Sequence, residues 1–127
     1  MAKAILISLH SKAAVSVIYS VRQKLDMRFK PSTYPIDVYV YCTKHGNETC
    51  RMNVMGKMRT IPLTHEVFGE SINGKVIGKC RLVDVEDLPN GMHRWHLIEQ
   101  ERFKRLRHLL EFGIRRAPQS WQYINEK

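Results

Sequence analysis

The stretch "IDVYVYC", residues 36–42, alternates with period two: Ile36, Val38, Val40 and Cys42 fall on one side, Asp37, Tyr39 and Tyr41 on the other. β-branched and aromatic residues in that rhythm mark a strand with one face on a core. Working outward, Pro31 and Pro35 break the chain just before it. Further upstream "AKAILISLH", residues 2–10, is apolar on both faces, as a fully buried strand is. It is expected to be the first strand rather than a leader, because its apolar run is short and no small-residue cleavage site follows. Between the two lies "SKAAVSVIYSV", where Ala14, Val17, Ile18 and Val21 recur at helical spacing behind a Ser11 cap, and a short helix is expected. "RQKLDMRF", residues 22–29, alternates again, so a strand there puts Arg22, Lys24, Asp26 and Arg28 on one face.

Downstream, residues 43–73 hold no sustained period and carry Gly46, Gly56, Pro62 and Gly69, the marks of an irregular, variable insertion with one short strand. Asn73-Gly74 reads as a tight turn into "KVIGKCRLVDVEDL". There the apolar phase slips between Leu82 and Val83, which predicts a bulge. From Glu99 to Glu111, Phe103, Leu106 and Leu110 form a helical stripe among Arg102, Lys104, Arg105, Arg107 and His108, so a basic helix capped by Gly113 is expected. "QSWQYI", with Trp121 and Tyr123 on one face, reads as the closing strand. The sum is one α+β domain over residues 1–127.

That length suits one core, and 43% hydrophobic with 26% charged residues is an ordinary globular composition. No apolar run reaches the roughly 18 residues of a membrane span, so no membrane partner is expected. Three cysteines without a secretory signal point to reduced thiols and a cytoplasmic protein. The 21 Lys and Arg against 12 Asp and Glu leave +9, which favours a polyanionic partner, nucleic acid above all. A basic but otherwise unremarkable solvated surface is the competing reading.

Among sites of chemistry, the sequence has no phosphate-binding glycine loop, no HExxH, no paired CxxC and no GxSxG. "CTKHGNETC" offers Cys42, His45 and Cys50, with Cys80 or His65 as a fourth ligand, but the spacing is not that of a finger and Cys42 is in phase with a core face. No metal and no cofactor are expected. In "HRWH", residues 93–96, an exposed Trp95 could stack on a base or on Arg94; a core Trp95 is the alternative. Asp26 between Lys24 and Arg28 could be held ionised to orient a polar ligand, or be one rung of a surface ion-pair ladder. In "GIRRAPQSW", residues 113–121, Pro118 leads into the closing strand, which makes Trp121 a core or pocket-wall residue and leaves Arg115 and Arg116 at a rim.

Taken together, "AILISLHSK", "VIYSVRQKLDMRFK", "DVYVYCTK", "GKVIGKCRLVDV", "RWHL" and above all "EFGIRRAPQSWQYI" resemble segments of the small ASCH domain proteins of bacteria and phages, within the PUA-like superfamily. The insertion at residues 43–73 lies outside the resemblance. It implies a small mixed β-barrel with peripheral helices, RNA-binding activity, and a cleft beside the motif Gly-x-Lys-x-x-Glu-x-Arg. The matching window is "VRQKLDMR", with Val21 for the Gly, Gln23 for the Lys, Asp26 for the Glu and Arg28 retained. Some family members are amidohydrolases that use the motif Lys on acylated cytidine. Gln23 cannot serve as a base or amine nucleophile, and Lys24 belongs to the opposite face of a regular strand.

The expected function is therefore nucleic-acid binding, of RNA or a modified nucleoside, with DNA left open. Arg28, Arg115 and Arg116 are expected on phosphates, Gln23, Lys24 and Asp26 beside the base or nucleoside, and Trp95 stacked on it. The alternatives are an amidohydrolase on acylated nucleosides, with Asp26 joined by His65, Glu66 or Glu70, and a protein-interaction module using the basic stretch. The catalytic residues and oligomeric state stay open.

Overall fold

The computed structural model describes residues 3–43, 49–62, 66–67, 70–72, 74–118 and 120–125. The chain runs β1 (Lys3–Leu9), α1 (Ser11–Ile18), β2 (Lys24–Met27), β3 (Ile36–Cys42), β4 (Thr49–Val54), β5 (Lys57–Pro62), β6 (Glu66–Val67), β7 (Glu70–Ser71), β8 (Lys75–Asp87), β9 (His93–Arg107), a 3-10 turn (Leu109–Phe112) and β10 (Trp121–Asn125). Six strands form one mixed sheet in the order β10-β1-β3-β8-β9-β2, while β4-β5 and β6-β7 are separate two-stranded ribbons. β1 and β3 are parallel, joined by a crossover that contains α1, and the other pairs of the sheet are antiparallel.

This is a mostly β, α+β fold with a curled, barrel-like sheet. Its two edge strands are brought together by side chains. Phe29, just past β2, stacks on Trp121 of β10 with ring centroids 4.6 Å apart, and Tyr123 Oη lies 3.4 Å from the Ser32 amide that donates to it. The concave face holds the main core, including Ile5, Ile7, Val38, Val40, Cys42, Ile77, Leu82, Trp95 and Leu97, closed by Ala14, Val17 and Ile18 of α1. A second cluster on the convex face joins Ala4, Leu6, Tyr39, Tyr41 and Val76 to Ile114, with Leu109, Phe112 and Ala117 of the C-terminal strap packed on it. That strap explains why β1 is apolar on both sides and why Tyr39 and Tyr41 are buried although they face away from Val38 and Val40.

The expected helix over residues 99–111 is a strand. β9 pairs with β8 along most of its 15 residues, through three irregularities in register. Phe103 packs on the convex cluster and Leu106 in the concave core, so residues three apart serve opposite covered faces of a strand. The same spacing imitates a helical stripe. Gly113 does cap, at φ 75, the short 3-10 turn that follows. The slip foreseen after Leu82 is present as a register shift between Leu82 and Asp84. α1 begins behind His10 as its N-cap position rather than Ser11. The insertion is more regular than expected, since β4 and β5 form a six-residue-per-strand hairpin. Among the described residues no helix is long and apolar enough to cross a membrane.

Candidate functional site

β2 is a four-residue edge strand, paired on one side with β9 in the register Lys24↔His96, Leu25↔Trp95, Asp26↔Arg94, Met27↔His93. Leu25 and Met27 point into the core; Lys24 and Asp26 are exposed on the other face, as the alternation requires. The backbone leading into it is anchored at several points. The Arg22 amide donates to Ser16 O, the Leu97 amide to Gln23 O at 2.7 Å, and Gln100 Nε2 to Arg22 O at 2.8 Å. Within this turn Val21 sits at φ 53, left-handed backbone that a β-branched residue rarely adopts.

Val21, Arg22, Gln23, Lys24, Asp26 and Arg94 line one open depression of about 500 Å³. Arg94 grips Asp26 with two parallel hydrogen bonds, Nε to Oδ1 at 2.8 Å and Nη2 to Oδ2 at 3.3 Å, the fork geometry that suits guanidinium and carboxylate. The hydrogen bonds from Arg94 hold the Asp26 carboxyl below its ordinary range, and Arg22 adds to the effect through space. Glu86 lies opposite Arg94 on β8 and also faces His96, whose Nε2 is 3.5 Å from Glu86 Oε1. The Asp26–Arg94 pair is thus an ordered ionic element of the lining, with Arg22 and Lys24 as further cations there and Glu86 beside Arg94 on the outer face of the sheet. Such a surface can accept amino hydrogens of a polar ring at Asp26, offer an amide to either edge at Gln23, and meet an anion at Arg22 and Lys24.

Gln23, Lys24 and Asp26 therefore share one depression; Arg28, Arg115 and Arg116 do not line it, though all three are exposed. Arg115 and Arg116 follow Ile114 on the strap over the convex face. Trp95 requires a correction. It is 0% exposed, its Nε1 donates to Phe29 O at 3.0 Å, and the Phe29 ring meets it edge-on at 5.0 Å, so neither of its faces is open to a base. Of the two roles expected of Trp121, the structure gives it the core one: it is half-buried, packed on the main core and stacked on Phe29. The site residue that sequence reasoning passed over is Arg94. Its only signal was its place beside a core tryptophan, which puts it on the outer face, and its pairing with Asp26 depends on a register 68 residues apart.

Among the described residues other chemistry is limited. Burial pushes the Cys80 thiol up to about 12, with Asp37 adding to the effect, so it is not a nucleophile near neutral pH. Among the described residues no three His, Cys, Asp or Glu are grouped to hold a metal ion. His45 and His65 lie outside the described residues, and of Glu66 and Glu70 only the strand positions are described. A second, smaller depression of about 300 Å³ is lined by Asp37, Lys79, Cys80, Arg81, Glu99 and Glu101, and there Arg81 is already paired to Asp37 at 2.7 Å. No family model matches the chain, and no curated protein matches it in sequence.

Proposed function

We propose that the depression beside β2 binds an unstacked base or modified nucleoside within RNA, and that the protein is a nucleic-acid-binding module of the ASCH and PUA-like kind. The observation that carries this reading is the meeting of Gln23, Lys24 and Asp26 with Arg22 and Arg94 in one open depression. Polar groups that read a ring edge then lie beside cations that take its phosphates. In this reading Asp26 and Gln23 hydrogen-bond the base, while Arg22 and Lys24 contact the backbone. Arg94 positions Asp26. A chain at +9 draws such a ligand by long-range attraction.

Binding is favoured over amidohydrolase chemistry because the carboxyl in the depression is clamped and held ionised by Arg94, a poor proton carrier near neutral pH. Gln23 supplies neither base nor nucleophile.

The test is an amide-resolved NMR titration of the chain with a short single-stranded RNA at two salt concentrations. Shifts clustered at residues 21–26 and 94 that shrink with salt are expected, and Gln23→Ala with Lys24→Ala should weaken them. A titration without localised shifts at low salt refutes the site, and release of product from an acylated nucleoside would put the hydrolase in its place.

A further inference from the structure

The ribbon β4-β5 stands outside the six-stranded sheet and pairs with no third strand among the described residues. Its closing pair is Val54↔Lys57, which leaves Met55 and Gly56 as a two-residue loop. Both have positive φ, 53 and 83, the type I′ geometry that follows the natural twist of a hairpin and makes its tip narrow. The Gly56 amide donates to Asn53 Oδ1 at 3.0 Å and braces that tip. Met55 at the apex is 99% exposed and Met58 56% exposed, an unusual placement for apolar side chains with no protein to cover them. Lys57 and Arg59 are exposed too, and the sequence has no carboxylate between Glu48 and Glu66. Arg51 adds a third cation to the ribbon's sequence.

From this we infer that β4-β5 is a second nucleic-acid contact, an arm that enters the major groove of double-stranded DNA. Size and charge select that occupant. Two strands about 4.8 Å apart, with their side chains, make a body of roughly 10 Å. B-DNA's major groove, about 12 Å wide, admits it, whereas the major groove of an RNA duplex is too narrow. An acid-free basic ribbon is complementary to a polyanion and repelled by no part of it. Asn53 and Met58 are cross-strand partners and so share one face; Lys57 and Arg59, two residues apart, share the other. With Asn53 and Met58 toward the groove floor, an amide and an apolar group meet base edges and thymine methyls, and the flexible cations reach round to the flanking phosphates. Met55 extends the apolar contact at the tip, where it can meet a further thymine methyl. This contact is separate from the β2 depression in both residues and ligand, so either can stand without the other.

Fluorescence anisotropy of a labelled 20-base-pair DNA duplex, its single strand and a polyglutamate peptide, read from 50 to 200 mM salt, tests the arm. The duplex is expected to bind best. Lys57→Glu with Arg59→Glu should weaken it at least about tenfold and lower the slope of log affinity against log salt by about 2. Met55→Ser, at a side chain that supports nothing in the fold, should weaken the duplex severalfold and spare the single strand. Duplex binding that ignores both arm variants while their circular dichroism matches the parent overturns the inference, as does polyglutamate binding as tightly as the duplex, which would make the arm a protein-docking element. Loss of RNA shifts at the depression with arm-dependent duplex binding intact would refute the proposed function alone.

Discussion

Replacing Trp95 by Phe separates a core tryptophan from a stacking platform. In the fold the indole N–H is the donor to Phe29 O at 3.0 Å, in a site with no exposure to water. Phenylalanine removes that donor and leaves the carbonyl without it, a loss of about 1–3 kcal/mol. The ring is also smaller by roughly 40 Å³, and at about 24 cal/mol per Å³ of residual cavity this adds about 1 kcal/mol. Phe29 meets Trp95 on one side and Trp121 on the other, at 5.0 and 4.6 Å, so relaxation into the gap would pull on the stack that closes the curled sheet. The sum is a destabilisation of about 2–4 kcal/mol, or a fall in melting temperature on the order of 10 °C. Urea unfolding followed by tryptophan fluorescence, with Trp121 as the remaining reporter, gives the number. RNA affinity measured well below the melting temperature should stay within about twofold of the parent, because a residue enclosed by protein contributes no stacking. The opposite pattern, unchanged stability with weakened RNA binding, would falsify the core assignment and restore Trp95 as a base platform.

Gly78 faces Glu101 O and lies where a Cβ would come within 2.7 Å of Ile18 Cγ2, so Gly78→Ala must push β8 from β9 or α1 from the sheet. A loss of about 3 kcal/mol is expected in chemical denaturation, and a loss under 1 kcal/mol would contradict the close packing. Glu111 accepts from Arg105 at 2.7 Å and from the His108 amide at 2.9 Å, which together with Arg107 hold its carboxyl down at about 2. Because the folded value lies below the ordinary 4.5, its stabilisation is complete above that pH and drains away as pH falls toward 2. Glu111→Gln should therefore cost about 1 kcal/mol at pH 7, discounted for screening by water, and nothing near pH 2. Parallel stability curves for parent and variant down to pH 2 would refute that linkage. Val21→Gly removes about 1–2 kcal/mol of left-handed strain and adds about 0.5–1 kcal/mol of chain entropy, so the urea midpoint should rise slightly. A lower midpoint would mean that the turn carries no strain.

Strand positions were legible wherever one rule of periodicity acted alone. β3, β8 and β10 stand where the alternation or the turn residues put them, and Lys24 and Asp26 share an outer face as the "KLDM" alternation required. The reading failed where two faces were both covered. In β9 the chain serves the concave core with Leu106 and the convex cluster with Phe103, and bulges shift its phase, so no local pattern distinguishes it from a helix. Only the long pairing with β8 decides it. Trp95 was ambiguous for a related reason. Its neighbours Arg94 and His96 are polar because they face outward, and alternation turns the residue between them inward only once the segment is known to be a strand, which its pairing decides. Arg94 itself was invisible as a site residue, because the clamp on Asp26 comes from strand register and not from sequence proximity.

The edge position of β2 bears on how its charges are understood. Short length and exposed charges are ordinary devices for keeping an edge strand from pairing with another molecule, and Lys24, Asp26 and a four-residue strand would satisfy that need alone. Edge protection does not require the turn before the strand to hold Val21 in left-handed backbone, nor Gln100 and Leu97 to fasten Arg22 and Gln23 through their carbonyls. It does not require Asp26 to be gripped by both arms of a guanidinium, since a loosely solvated carboxylate repels a neighbouring strand as well. These features fix the direction of side chains, which matters to a ligand and is indifferent to an edge. Strain held in place by several hydrogen bonds beside an open, charged depression is what the proposed recognition site would require, and edge protection would not. The same comparison separates Arg22, Gln23, Lys24 and Asp26 from Arg115 and Arg116. The first four sit on or beside anchored backbone around one depression, whereas the last two project from a strap whose inward contacts are already explained by Ile114 and Ala117 on the convex cluster.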